Sequence, residues 1–104
     1  MEKVKLAREK EVWAKLAEIL DPELYIPLTD MGLIYNVSEK NGAVQVTMTL
    51  TTIGCPLYSL IEQQIIEKVQ ELTWVKKVLP NLVFDPPWSM EMLSDDARVK
   101  LGIV

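Results

Sequence analysis

Residues 2–20 carry Leu6, Trp13, Leu16, Ala17 and Leu20 at helical spacing, with Glu and Lys between them, which predicts an amphipathic helix. Asp21-Pro22 ends it, because a residue that precedes proline is pushed out of the α region. The period then shortens to two. In "GLIYNVSEKNGAVQVTMTLT", Leu33, Tyr35 and Val37 alternate with polar residues on one side of Asn41-Gly42, and Val44, Val46, Met48 and Leu50 do so on the other. Asn-Gly suits a two-residue turn in which both residues need positive φ, so the stretch predicts a hairpin. Thr47, Thr49 and Thr51 fall on the polar side and predict a row of hydroxyls on the wetter face.

Beyond Cys55-Pro56 the spacing returns to 3.6. Leu57, Ile61, Ile65, Val69 and Leu72 form one stripe and predict a second helix over 57–72. Pro56 fits the first helical position, where its missing N–H costs nothing, and this puts Cys55 at or beside the N-cap. "VKKVLPNLVF", residues 75–84, predicts a third strand; Pro80 cannot donate to a ladder, so the strand belongs at a sheet edge or at a bulge. "DPPWS" predicts a rigid connection, and Ser94 with Asp95 and Asp96 starts a last short helix that ends near Gly102. The order α-β-β-α-β-α predicts an α+β, two-layer sandwich with a small mixed sheet and helices on one face, in one domain over residues 1–104.

Composition narrows the chemistry. Eleven Lys and Arg against 15 Asp and Glu leave a formal charge of −4, so no basic face is expected for nucleic acid. The chain has no His, the commonest metal ligand and general base. Its one Cys allows neither an internal disulfide nor a CxxC pair. No apolar run is long enough to span a bilayer, and "MEKVKLAREK" is charged where a signal peptide turns apolar. These features predict a cytoplasmic protein with a free thiol and no membrane partner.

Cys55 in "TTIGCPLY" is therefore the residue to weigh. At a helix start the aligned peptide dipoles favour a thiolate, which is both nucleophile and metal ligand, and Thr51 and Thr52 are near enough in sequence to donate to the sulfur. The alternative is a small buried hydrophobe, since free Cys is among the most buried residue types. In "DPEL", Asp21 and Glu23 could join that thiolate in a mixed metal site, or they could be a turn cap and a solvated carboxylate. Asp30, Asp85 and Trp88 read as structural residues: two turn formers and a packing aromatic.

"DPEL…LTDMGLIYNV", "VTMTLTTIGCPL" and "FDPPWSMEMLSDDARVKLG" stand in the order and spacing of a known family. The chain resembles the iron–sulfur cluster assembly proteins of the SufT and PaaD type, which are related to the eukaryotic cytosolic cluster-targeting factors. The resemblance runs from about residue 9 to residue 104. It implies a cluster-assembly-like α+β fold and a non-enzymatic accessory role in maturing iron–sulfur proteins, with the assembly machinery and client apoproteins as partners. It also implies that Asp21, Glu23, Thr51, Thr52 and Cys55 form the functional cluster, with Cys55 as the thiol and metal ligand. A cluster needs about four thiolates or substitutes, so a transient cluster or iron is expected only with a homodimer or a partner protein, and none bound tightly by a monomer. Two rivals are a small thiol-dependent enzyme, which would lack a His base, and a pure adaptor for client apoproteins.

Overall fold

The computed structural model describes residues 2–22, 24–51 and 58–102. Its elements follow the order α1 (Glu2–Leu16), β1 (Ile34–Lys40), β2 (Ala43–Met48), α2 (Tyr58–Val69), β3 (Lys77–Leu82) and α3 (Asp95–Leu101), with one turn of 3-10 helix at Met90–Met92 before α3. The α+β architecture expected from the sequence is the one observed. β2 is the central strand, antiparallel to β1 and parallel to β3, so the sheet is mixed. The hairpin tip is Asn41-Gly42, with φ values of 52° and 87°, the two left-handed positions its sequence asked for. Pro80 lies in β3, at the edge of the sheet, where a missing donor is tolerated.

The core lies between this sheet and the first two helices. Val44, Val46 and Met48 from β2 are fully buried with Val12 and Leu16 of α1 and with Ile61, Ile65 and Val69 of α2. The α2 stripe is as expected over its described length. The α1 stripe is not: Leu6 and Leu20 are 58% and 43% exposed and Ala17 is exposed, while Val12, Leu16 and Ile19 face the core. α1 also ends at Leu16, because residues 19–28 fold back on themselves through a Leu20–Pro27 bridge.

A β-bulge between Ile34 and Asn36 breaks the simple alternation of β1. The extra residue is Tyr35, whose hydroxyl donates to the Pro86 carbonyl oxygen at 2.8 Å and contacts the Met92 sulfur at 3.6 Å. Bulges re-aim side chains in this way. Here the bulge ties the hairpin to the C-terminal segment. Trp88 Nε1 donates to the Met31 carbonyl at 2.7 Å, and Gly32, at φ 75°, lies so close to Met92 that a Cβ there would collide with the Met92 carbonyl oxygen. Ser94 caps α3 by accepting from the Ala97 N–H at 3.1 Å, and Gly102 ends it in the left-handed conformation. No helix among the described residues is long and apolar enough to cross a membrane.

Candidate functional site

Backbone hydrogen bonds between residues 19–22 and 24–28 close a loop around "DPEL". The Leu28 N–H donates to the Ile19 carbonyl at 2.9 Å, the Asp21 N–H to the Ile26 carbonyl at 2.8 Å, and the Tyr25 N–H to the Asp21 carbonyl at 2.8 Å. Asp21 Oδ1 accepts from the Leu24 N–H at 3.0 Å, an Asx-type turn bond that fixes the carboxylate from within the loop. Tyr25 takes a left-handed φ of 58° and is 72% exposed, so the loop presents an aromatic ring to solvent at its tip.

This loop packs along α2, the helix that follows Cys55. Ile19, Leu20, Pro22 and Tyr25 line one side of a cleft of about 430 Å³, and Gln64, Glu67, Lys68 and Glu71 line the other. Asp21 and Glu18 complete its rim. Gln64 is six residues past Tyr58, the first residue of α2, or about 9 Å along the axis at 1.5 Å per residue. Asp21 thus shares a cleft with the middle of the helix that Cys55 precedes. Burial, and then the Glu62 carboxylate beside it, push the Tyr58 phenol up to about 12, so Tyr58 is a neutral hydrogen-bond donor across the physiological range.

Of the hydroxyl row, Thr51 is exposed three residues past β2, but Thr49 is fully buried, and its Oγ1 has no hydrogen-bond partner among the described residues. The wet face expected there is closed at Thr49. Cys55, Thr52 and Glu23 lie outside the described residues. Among the described residues, no three His, Cys, Asp or Glu side chains are grouped to hold a metal ion.

Residues 9–79 match the family model for the iron–sulfur cluster assembly protein family. The chain belongs to that family. Membership fits the motifs around Asp21, Asp30 and Cys55, which all fall inside the matched region. Among its relatives, the chain is 34% identical over 98 residues to the Fe-S protein maturation auxiliary factor YitW of Bacillus subtilis, covering 93% of this chain and 96% of that one. It is 36% identical over 86 residues to the Fe-S protein maturation auxiliary factor SufT of Staphylococcus aureus, covering 82% of this chain and 98% of its relative. A crystal structure of a domain of unknown function from Bacillus anthracis superposes with a TM-score of 0.91 at 34% identity, over the whole of both chains. The family's α+β fold is therefore the fold of this chain.

Sequence reasoning passed over two residues that shape the site region. Tyr25 carried no signal, because its exposure follows from a left-handed backbone that "LYIP" does not announce. Gln64 looked like one more polar residue off the α2 stripe, yet its Oε1 is buried and unpartnered among the described residues.

Proposed function

We propose that this chain is an accessory factor in the maturation of iron–sulfur proteins, with Cys55 as its working thiol. The observation that carries the reading is the family match over residues 9–79, together with relatives of the same length whose names describe auxiliary factors for maturation rather than enzymes. The cluster is cargo. One chain supplies one thiolate and no imidazole, whereas a cluster takes about four thiolates or substitutes. Cys55 therefore acts as one ligand or exchange thiol among several, and the others come from a second copy or from a partner protein. Thr51 and Thr52 support the sulfur from the preceding strand end. Asp21 and Glu23 contribute from the loop that shares a cleft with α2. The protein works as one domain in the cytoplasm, holds no resident cofactor and turns over no substrate of its own.

The test is replacement of the gene by its Cys55→Ser form in the native host. Serine is a preferred N-cap, so the variant is expected to fold and accumulate normally. The activity of iron–sulfur enzymes in the cell should fall to the level seen when the gene is deleted. Wild-type activity in the variant would remove Cys55 from the mechanism.

A further inference from the structure

The cleft between the 19–25 loop and α2 has more structure than a thiol site needs. Its walls are apolar and partly open: Leu20 is 43% exposed and Tyr25 72% exposed, above a buried Ile19. Among the described residues its charged lining is mostly acidic, with Glu18, Glu67 and Glu71 beside Lys68. That ammonium is already held, by Glu18 at 3.2 Å and Glu71 at 3.8 Å, while Glu71 also takes Lys15 at 2.9 Å. Glu67 accepts from Gln63 Nε2 at 3.0 Å and has no Lys or Arg partner among the described residues. Gln64, between these groups, keeps a buried carbonyl oxygen without a donor among the described residues. An exposed aromatic beside an apolar wall, under a rim of excess negative charge, is complementary to an apolar segment that carries cations.

We propose that this cleft docks a partner protein through a short segment that carries leucine-like residues and lysine or arginine at helical spacing. The apolar side chains pack on Leu20 and Tyr25, and a cation meets Glu67. The proposal deepens the maturation reading by giving the partner a place to bind, and it does not use Cys55.

A short synthetic peptide of leucine and lysine at helical spacing is the probe, and its leucine–glutamate counterpart is the control. Both are titrated into the ¹⁵N-labelled full chain and followed by amide shifts. The lysine peptide should bind and the glutamate peptide should not. Shifts should concentrate at Leu20, Tyr25, Gln64 and Glu67, and binding should weaken with salt. Glu67→Lys should lower affinity about fivefold, as expected for an exposed pair turned repulsive. Tyr25→Asn keeps a residue that tolerates the left-handed backbone and should lower affinity about tenfold. Equal binding of the two peptides, shifts centred on another face, or unchanged affinity in both variants would overturn the proposal. Titrating Cys55→Ser separates the two readings. Peptide binding should survive in that variant whatever happens to client maturation, so a cleft that binds beside a dispensable Cys55 would sink only the thiol role.

Discussion

Glu39 shows how a single charged residue can belong to the interior. It is 5% exposed and accepts from the Gly42 N–H at 2.8 Å and from Arg8 at 3.0 Å. The Gly42 N–H and then Arg8 hold its carboxyl below the usual glutamate range. A lowered folded pKa contributes stability that is present above the unfolded value and is lost as pH falls through the folded one. Glu39→Gln should therefore cost about 1–3 kcal/mol at pH 7, and the gap to wild type should close below about pH 4 in urea melts. A gap that stays constant with pH would assign Glu39 a packing role only. Thr49 is the opposite case, a buried hydroxyl with no partner among the described residues. Thr49→Val, which keeps the shape, should leave stability unchanged or raise it by up to about 1 kcal/mol in the same melts. Neither role was open to sequence reading. Glu39 has the same parity as Val37, but its charge disguises a buried position. Thr49 alternates correctly for an outward face, yet that face is covered. By contrast, the Ser94 cap and the Asn41-Gly42 turn were legible, because each depends only on local backbone chemistry.

Among the elements, α2 and the hairpin could be read directly and α1 could not. The α2 stripe has polar residues on its other flanks, whereas α1 has apolar residues on two neighbouring faces. Only the burial of Val12 and Leu16 shows which face meets the sheet. Tyr35 is half-buried rather than part of the core row with Leu33 and Val37, and the bulge at that position breaks the alternation. The same bulge lets the C-terminal segment dock, and Gly32 is the tightest point of that docking. Gly32→Ala puts a Cβ against the Met92 backbone at a left-handed φ of 75°. It should destabilise the fold by at least about 1–2 kcal/mol, seen as a lower urea midpoint with an unchanged slope. A neutral result would mean that residues 90–93 move away without cost. Ile65→Ala, at the fully buried centre of α2, should cost about 2–5 kcal/mol by the same measure.

At the scale of the whole molecule, the family's motifs are spread along the chain, and the fold sets the one around Asp21 against α2. The loop bearing Asp21 packs against α2, and α2 is the crossover from β2 to the parallel β3, with Thr51 three residues past the end of β2. Asp21 thereby shares a cleft with residues 64–71, in and just past the second half of α2. The fold and the family were legible because several motifs agreed in order. The cleft beside Asp21 was not, since it depends on how the loop around Asp21 meets α2. Assembly follows from counting ligands: a chain with one thiol binds a cluster only in company. The most direct measurement of the central claim uses purified components. An apo iron–sulfur enzyme is activated anaerobically with its assembly machinery, with and without this chain, and native mass spectrometry records any cluster-bearing species. Wild-type chain should raise the rate of activation and carry cluster only as a dimer or a hetero-complex, while folded Cys55→Ser should do neither. Full stimulation by Cys55→Ser, or a stable cluster on a monomer, would contradict the account.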